Sequence, residues 1–409
     1  MGVRPLAVDL DGTLLRTDLL HESLFSLLKG GFWRAIHLPR WLLPGKAHFK
    51  QQIADRSVLD VATLPYREDL LEHLRDRHDQ GAYLVLATAS DRRLAVQVAD
   101  HVGLFEEVLA SDGVRNLAGA NKRDLLVGRF GAGGFDYVGN SWADLDVWQA
   151  ARVATVVTGD AALIDRVRAV AEVDRVYTPA RPRLGDYFRA LRLHQWLKNL
   201  LVFVPLFTAH TFVAAPALRT VLGFLSFGLA ASSTYLLNDV LDLSDDRAHP
   251  RKKTRPFAAG TIPLSFAFVA IPAMLLAAAL LGAFASTGFL LVLSGYVVLT
   301  VTYSLHLKAL VLVDVVTLAA FYTLRIVGGG FAAGVAVSFW LLSFSMFLFF
   351  SLALVKRSAE LTSLRSRDES SMRGRNYQVP DLDLIRGMGI ASGYLAVLVF
   401  ALFINSPEV

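Results

Sequence analysis

The densest group of side chains able to do chemistry lies in residues 238–255, with the sequence NDVLDLSDDRAHPRKKTR. This stretch follows one apolar run and precedes another that starts near Leu264. Carboxylates so close to hydrocarbon are costly to bury and usually have a function. If the preceding helix continues, Asn238, Asp242 and Asp246 share one of its faces, because they are spaced four residues apart.

Oxygen ligands at this density favour Mg²⁺, which binds a few carboxylates together with the phosphate oxygens of a substrate. We therefore predict a magnesium site in which Asp239 and Asp242 are catalytic and whose ligands are Asn238, Asp239, Asp242 and Asp246. The basic run that follows, including Arg255, is expected to hold the rest of a phosphorylated substrate. A solvated, charged loop beside the membrane is the alternative interpretation.

A second acidic motif lies near the N-terminus, where a short apolar run is followed by Asp9, Asp11, Gly12 and Thr13. Carboxylates two residues apart at the end of a strand point to the same side. Two such groups can divide the work of phosphoryl transfer. Asp9 is the predicted nucleophile that attacks phosphorus, and Asp11 is the predicted acid that protonates the leaving oxygen.

Two later strand ends and a lysine supply what this motif needs. The predicted strand at 82–90 ends in small hydroxyl residues, and Thr88 can bind a phosphate oxygen. Lys122 can neutralise a phosphate, and Asn140 and Asp144 follow a further strand and can complete a Mg²⁺ site with Asp9 and Asp11. A structural threonine at a strand end and a solvated lysine, neither of them catalytic, would give the same sequence pattern.

These pieces, in this order, resemble the haloacid dehalogenase (HAD) phosphohydrolases over residues 1 to about 175. The resemblance implies a doubly wound α/β, Rossmann-like sheet with its site at the carboxyl ends of the strands, and a small helical cap between Asp11 and Thr88. It also implies the roles given above for Asp9, Asp11, Thr88, Lys122 and Asp144. Asn140 departs from the family, which often has an acid there, so the site has one negative charge fewer.

The segment FWRAIHLPRWLL at residues 32–43 is aromatic, basic and apolar. Two interpretations fit it equally. It is a helix that rests on a membrane surface, or it is an ordinary helix packed in the core of the cap.

Composition divides the 409 residues into two domains, 1–182 and 183–409, joined by a Pro- and Arg-rich linker at 172–186. The first has the charge content of a soluble protein, whereas the second consists mostly of apolar runs. The chain has no cysteine, which excludes disulfides and thiolate sites. Its net charge of +5 comes from cations beside apolar runs, so we expect a membrane partner and no nucleic acid. No secretory segment precedes the first domain, which is therefore expected in the cytoplasm.

About seven apolar runs follow a basic, aromatic segment at 187–199, several of them long enough to span a bilayer. They lie near 200–215, 218–238, 264–283, 288–304, 309–329, 335–355 and 385–405. Counting crossings from the inside puts the cation-rich loops on the side of the first domain, as the positive-inside rule requires. We expect an all-helical, multi-pass bundle in the cell membrane with its active site on the cytoplasmic face.

Several ionisable residues of the second domain are candidates for binding phosphate: Lys198, Lys308, Arg325, Lys356 and Arg357. Asp314 and Arg325 are eleven residues apart, so they share a helix face that should point into the bundle. A purely structural ion pair is the alternative role for them.

The motif N-D-x-x-D-x-x-x-D followed by R-P-x-x-x-G resembles the UbiA superfamily of intramembrane prenyltransferases over residues 187 to the end. The segments around Lys198, Lys308 and Lys356 look like its decaprenyl-phosphate phosphoribosyltransferase branch. Aromatic prenyltransferases carry a second acidic loop where this chain has Lys356, Arg357 and Glu360. Cations there favour a grip on additional phosphates. The family usually has nine membrane helices, so either further helices escape the count of seven or the chain is short at its C-terminus.

The two resemblances together imply a bifunctional, Mg²⁺-dependent enzyme. The membrane domain would transfer phosphoribose from phosphoribosyl pyrophosphate to polyprenyl phosphate, and the first domain would remove the 5-phosphate, toward cell-wall arabinan. Transfer of a prenyl chain to an aromatic or other small acceptor is the second hypothesis. A third makes the first domain a regulatory or assembly module without catalysis. A homo-oligomer is compatible with each of them.

Overall fold

The computed structural model describes residues 4–210, 212–366 and 375–406. The chain forms two compact units. The α/β unit comprises Met1–Ala190 together with Asp239–Phe268, and the helical unit comprises Leu191–Asn238 and Val269–Val409. Residues 239–268, which the predicted boundary at 182/183 assigns to the second domain, therefore pack with the first.

The α/β unit is built on a six-stranded sheet in the order β3-β2-β1-β4-β5-β6, with every neighbouring pair parallel. The strands are β1 Leu6–Val8, β2 Leu84–Asp91, β3 Glu107–Ser111, β4 Asp136–Gly139, β5 Val153–Val157 and β6 Glu172–Tyr177. The predicted parallel α/β sheet is thus confirmed. The strand order reverses direction at β1, which puts the expected ligand site at the carboxyl ends of β1 and β4.

Both faces of the sheet are buried at the central strands β1, β2 and β4, where successive side chains point to opposite faces. Leu6 and Val8 of β1 belong to one apolar cluster, and Ala7 between them belongs to the other. Short, almost wholly apolar strands are what a sheet covered on both sides requires.

Helices connect the strands and cover these faces. Four lie between β1 and β2: α1 Leu19–Lys29, α2 Leu38–Leu42, α3 Lys46–Ala54 and α4 Glu68–Asp79. The later connections contain α5 Arg92–Val102, α6 Ala120–Phe130, α7 Leu145–Ala150 and α8 Ala161–Arg168. Helix α1 begins where it does because the Asp18 side chain accepts hydrogen bonds from the backbone N–H groups of Leu20 and His21. The helices predicted between Asp11 and Thr88 are therefore present.

The predicted linker at 172–186 is wrong in its first half. Residues 172–177 form β6, the edge strand of the sheet, paired in parallel with β5. The Pro- and Arg-rich part after Tyr177 precedes α9 Leu184–Leu191.

Six of the described helices are long and apolar enough to cross a membrane. They are α11 Ala214–Leu241, α13 Ser265–Ala285, α14 Thr287–Leu305, α15 Val313–Ala333, α16 Phe339–Arg365 and the helix that ends the described chain, α17 Leu382–Ile404. The protein is therefore an integral membrane protein with an all-helical membrane part.

The expected number of seven membrane spans is corrected to six among the described helices, because the first apolar run, near 200–215, forms no long helix. The chain there forms a 3₁₀ helix, Leu193–Phe203, followed by the short α10 Val204–Thr208. The 3₁₀ helix packs closely on α15 at Gly329, where a Cβ atom would lie 2.1 Å from the carbonyl oxygen of Val202. Only glycine allows two backbones to approach so closely. Apolar composition alone does not distinguish this tight packing from a membrane-spanning α-helix.

Candidate active sites

In the α/β unit, Lys122 of α6 lies at the centre of a buried polar cluster. Its Nζ atom is 2.7 Å from Asp9 Oδ1, 2.8 Å from the Tyr137 hydroxyl and 3.4 Å from Asp144 Oδ1. Burial alone would lower the pKa of Lys122, but the Asp9 and Asp144 carboxylates raise it. The lysine is therefore charged beside the predicted nucleophile, where it can neutralise a phosphate.

Asp144 holds this lysine in place. Its Oδ1 atom accepts from the Tyr137 hydroxyl at 2.6 Å, and its Oδ2 atom accepts from the backbone N–H groups of Asn140 and Ser141, both at 3.1 Å. Burial would raise the pKa of Asp144, but Lys122 and these hydrogen bonds lower it. These contacts give Asp144 a positioning role toward Lys122, and its role as a metal ligand stays a prediction.

Asp11 has the environment of an acid–base group. Its Oδ1 atom accepts from the backbone N–H of Leu19 at 2.8 Å, and its Oδ2 atom accepts from the Ser90 hydroxyl. Burial, together with the nearby Asp18 carboxylate, raises the pKa of Asp11 to about 7. A carboxyl group with a pKa near neutrality can give and take a proton efficiently at physiological pH.

Asp9 lies on the other side of the same loop and is 7% exposed. Burial raises its pKa to about 6, and the ion pair with Lys122 limits that rise. Thr88, in the second half of β2, is fully buried, and its hydroxyl accepts from the backbone N–H of Ser90 at 3.0 Å. The structure thus brings the predicted residues from β1, β2, α6 and the β4–α7 loop to one edge of the sheet.

Gly12 allows the acidic loop after β1 to approach the Asn140 side chain closely. Its φ of +73° belongs to the left-handed region, and a Cβ atom there would lie 2.2 Å from Asn140 Nδ2. Asn140 therefore sits directly against the turn that carries Asp11, as the prediction requires.

Lys50, a functional candidate that the sequence analysis missed, enters this cluster from α3. Its Nζ atom donates to the carbonyl of Ala89 at 2.7 Å and lies 3.3 Å from Asn116 Oδ1. Burial lowers the pKa of Lys50 despite the nearby Asp11, Asp18 and Asp9 carboxylates. No local spacing signals such a residue, since it reaches the site across the fold. Tyr137 was also missed, although its position in β4 two residues before Gly139 places it at the strand ends.

Within the described ranges, no three carboxylate or imidazole side chains come together as a ready-made metal site. The donor set at the strand ends still fits Mg²⁺, which needs only one or two carboxylates in addition to water and phosphate oxygens. Two buried carboxyl groups with raised pKa values gain from a nearby divalent cation. Asp9, Asp11 and Asn140 are the side chains present to hold one.

Only residues 238–241 of the acid-rich stretch continue the preceding helix, and from Asp239 onward the stretch belongs to the α/β unit. Helix α11 ends at Leu241, Asp242 has non-helical backbone angles, and the short α12 Leu243–Ala248 begins after it. The expected single face at positions 238, 242 and 246 is therefore wrong, because the helix breaks between its members.

Tertiary contacts nevertheless bring two of these acids together. Arg255 Nη1 is 3.0 Å from Asp239 Oδ1 and 2.6 Å from Asp246 Oδ2. Both carboxylates are almost fully buried, and burial raises the pKa of Asp246 although Arg255 opposes it. Two carboxylate oxygens thus converge on one cation, which shows that the residues fit a positive centre. Arg255, predicted to bind phosphate, holds that position here.

Asp242 pairs with a different cation. Lys29 of α1 lies 3.6 Å from Asp242 and 2.8 Å from Asp245. The acids that sequence spacing placed together are therefore divided between Lys29 and Arg255. Asn238, the residue that precedes Asp239 in α11, is half-buried.

A buried ion pair fastens α12 to α1. Arg247 donates to both carboxylate oxygens of Glu22, at 2.6 and 3.1 Å, and its Nε atom donates to the carbonyl of Ala258. Glu22 also accepts from the Thr17 hydroxyl at 2.8 Å. Thr17 in turn accepts from the backbone N–H of Gly12 through its carbonyl. A chain of direct contacts thus connects the acidic loop after β1 with α12.

In the helical unit, Arg325 of α15 is 3% exposed. Its Nε atom donates to Asn199 Oδ1 at 2.8 Å, its Nη2 atom donates to the Tyr296 hydroxyl at 3.2 Å, and its Nη1 atom donates to the carbonyl of Phe321. None of these acceptors is a carboxylate. A buried guanidinium normally has an anionic partner, so this one is available for an anion supplied by a ligand.

Asn199 supports that interpretation. Its side chain is buried, and among the described residues its Nδ2 atom has no hydrogen-bond partner. An orphaned donor in a folded interior needs an explanation, and an absent ligand is one. Lys198 lies beside it, 5.9 Å above the Tyr322 ring and within electrostatic range of Arg325 and Arg192.

The charge of Lys356 in α16 interacts most strongly with Glu360 and more weakly with Arg375 and Lys198. Lys308 is half-buried in the 3₁₀ turn Leu307–Ala309 between α14 and α15. Lys198, Arg325 and Lys356 therefore form a group of predicted phosphate-binding cations, which we call the cationic cluster and to which we add Asn199.

Arg357 does not join this group. It is fully buried and forms ion pairs with Asp314 and Glu360. Asp314 also accepts from the Tyr377 hydroxyl. Asp314 and Arg325 both point inward as predicted, but each has other partners. The geometry assigns Arg357 to a structural network instead of the predicted phosphate contact.

Residues 200–404 match the model described as the UbiA prenyltransferase family. An uncharacterised protein y4nM of Sinorhizobium fredii is 38% identical over 98% of this chain and 78% of its own length. The decaprenyl-phosphate phosphoribosyltransferase of Mycolicibacterium smegmatis is 32% identical over 45% of this chain and 59% of its own length. A solved UbiA homologue from Archaeoglobus fulgidus, bound to GPP and Mg²⁺, aligns at 20% identity with a TM-score of 0.46, covering 54% of this chain and 78% of that one.

Proposed function

Since the chain belongs to the UbiA prenyltransferase family, we propose that it is a bifunctional enzyme that builds a lipid-linked pentose. In the first reaction, phosphoribose passes from phosphoribosyl pyrophosphate to polyprenyl phosphate. In the second, the α/β unit removes the 5-phosphate from the product. The lipid-linked pentose would serve as a donor for cell-wall arabinan. Both reactions take place at the cytoplasmic face of the inner membrane.

The cationic cluster is the observation that carries the first reaction. Among the described residues, buried Arg325 has no carboxylate partner and the Nδ2 donor of the neighbouring Asn199 has no acceptor. Phosphate oxygens satisfy both groups at once. The relatives named decaprenyl-phosphate phosphoribosyltransferase support a sugar phosphate donor in preference to an aromatic acceptor.

In this reaction an oxygen of polyprenyl phosphate attacks the anomeric carbon of the ribose, and the bond from that carbon to pyrophosphate breaks. The electron pair leaves with the pyrophosphate. A bound Mg²⁺ supplies charge stabilisation for this leaving group. Asp239 and Asp246, which converge on one cation, would hold it, whereas Asp242 pairs with Lys29. In the helical unit, the phosphate oxygens would be neutralised by Lys198, Arg325, Lys356 and Lys308.

The second reaction follows from the cluster around Lys122. Asp9 attacks phosphorus, an aspartyl phosphate forms, and the bond to the sugar oxygen breaks while Asp11 gives that oxygen a proton. Water then attacks the phosphorus of the aspartyl phosphate, Asp11 takes a proton from the water, and the bond from phosphorus to the Asp9 oxygen breaks, which releases inorganic phosphate and restores the Asp9 carboxylate. Lys122 and Thr88 hold the phosphate oxygens, and Asp144 keeps Lys122 in position. The raised pKa of Asp11 suits both proton transfers.

Release of pyrophosphate by purified protein tests the first reaction. The assay contains phosphoribosyl pyrophosphate, polyprenyl phosphate and Mg²⁺, and Asp239→Asn is the matched control. We expect release that requires the lipid and that the variant loses. Absence of release, with turnover of a prenyl diphosphate and an aromatic acceptor instead, would reject this function in favour of aromatic prenylation.

A further inference from the structure

The segment 32–43, between α1 and α3, exposes an unusual amount of apolar surface. It consists of a 3₁₀ helix, Phe32–His37, that continues into α2 Leu38–Leu42, and neither contains a buried residue. Trp33 is 67% exposed, Ile36 77% and Leu43 85%. The interpretation of this segment as a core helix of the cap is therefore wrong.

This exposure belongs to an ordered element. The segment packs against α1 on one side and α3 on the other. Along it, the rings of Trp33, His37 and Trp41 follow one another at centroid distances of 6.0 and 5.7 Å. Apolar side chains held outward on a fixed scaffold mark a binding surface.

Charge identifies the partner. No aspartate or glutamate occurs between Glu22 and Asp55. Of the cations in this interval, Arg34, Arg40 and Lys46 lie in or next to the segment, whereas Lys29 and Lys50 are engaged elsewhere in the α/β unit. Arg34 lies over the Trp33 ring at 5.8 Å, so cation and aromatic ring are presented together. Tryptophan rings prefer the headgroup level of a bilayer, and arginine beside them attracts anionic lipid.

We propose that residues 32–43 form a monotopic anchor that inserts Trp33, Ile36 and Leu43 into the headgroup region of an anionic membrane. The protein is already an integral membrane protein through its helical unit, so a bilayer is always present. The anchor is independent of the proposed reactions. It gives the α/β unit its own contact with lipid.

The absence of cysteine allows a direct test. Ile36→Cys and Leu43→Cys are each labelled with a nitroxide in the full chain, which is reconstituted in vesicles of equal parts phosphatidylcholine and phosphatidylglycerol. Val114→Cys is the matched control, because Val114 is a 92% exposed apolar residue of the same unit. Collision rates are measured with oxygen, which concentrates in lipid, and with a water-soluble nickel chelate.

We expect the labels at 36 and 43 to collide at least threefold more with oxygen, relative to nickel, than the label at 114. The ratio should fall in vesicles of phosphatidylcholine alone and in the Arg34→Gln, Arg40→Gln double variant. Equal ratios at all three positions would overturn the proposal. So would low collision with both reagents combined with spin–spin broadening, since that result indicates a second copy of the chain on this surface.

Discussion

Arg247 and Glu22 lie 225 positions apart in the chain and form a buried, bidentate ion pair, with nitrogen–oxygen distances of 2.6 and 3.1 Å. The pair fixes α12, and with it Asp246, to the first helix of the α/β unit. Removing one partner of a buried pair leaves the other charge without compensation, at a cost of about 3–5 kcal/mol.

Glu22→Ala should therefore release α12 from its packing. We expect backbone hydrogen exchange in Leu243–Ala248 to accelerate by at least a hundredfold in the full chain. Asp245→Asn is the matched control, because it removes only the ion pair of the largely exposed Asp245 with Lys29, and such pairs contribute only about 0–1 kcal/mol. Unchanged exchange in Glu22→Ala would show that the ion pair does not hold the segment.

Arg255 occupies the point at which Asp239 and Asp246 converge. Replacing it by glutamine leaves the two carboxylates without their shared cation, so a divalent ion should bind more tightly. We expect Arg255→Gln to bind Mn²⁺, used as a paramagnetic probe, about tenfold more tightly than the unchanged chain, while pyrophosphate release falls. The Asp239→Asn, Arg255→Gln double variant should lose the gain. Equal Mn²⁺ affinity with and without Arg255 would contradict this arrangement.

Asp11 should make stability depend on pH when no metal is present. Burial raises its pKa from 3.8 to about 7. Between these values the folded chain keeps a proton that the unfolded chain has lost, so the free energy of unfolding falls as pH rises from about 4 to 7. The measurement is the unfolding temperature in buffer with a chelator. Asp11→Asn should flatten the slope, and Mg²⁺ should restore stability at pH 8. Identical slopes in both proteins would refute this account of Asp11.

Asn199 offers a test of the cationic cluster. Asn199→Asp keeps an oxygen acceptor for Arg325 but removes the unused Nδ2 donor and adds a negative charge. One lost hydrogen bond to a charged group is worth about 1.5–3 kcal/mol, so KM for the phosphorylated substrates should rise at least tenfold. The protein should remain folded. If KM stays unchanged, Asn199 has only a structural role.

Strand-end positions explain why much of the first site could be predicted. Parallel strands bring Asp9, Thr88 and Asn140 to one edge whatever the loops between them do. Lys50 could not be predicted, because it reaches that edge from α3 through tertiary packing. Nothing in the spacing of nearby residues records such a contact.

The acid-rich stretch is a case in which the sequence pattern gave a wrong prediction. Its four-residue spacing suggested one helix face, yet the helix breaks at Asp242 and the acids pair with different cations. Lys29, which pairs with Asp242, is more than two hundred residues away in the chain. Likewise Asp314 pairs with Arg357 of another helix and not with Arg325 on its own. Ion pairing across a fold depends on packing that a linear pattern does not contain.

The division of labour between the site at Asp9 and the site at Asp239 is the central claim, and analysis of the lipid products of the Asp9→Asn variant tests it most directly. Radiolabelled phosphoribosyl pyrophosphate and polyprenyl phosphate are supplied to the unchanged protein, to Asp9→Asn and to Asp239→Asn. We predict that the unchanged protein yields lipid-linked ribose, that Asp9→Asn accumulates lipid-linked phosphoribose, and that Asp239→Asn yields neither. The same dephosphorylated product from Asp9→Asn and the unchanged protein, or labelled lipid from Asp239→Asn, would contradict the account.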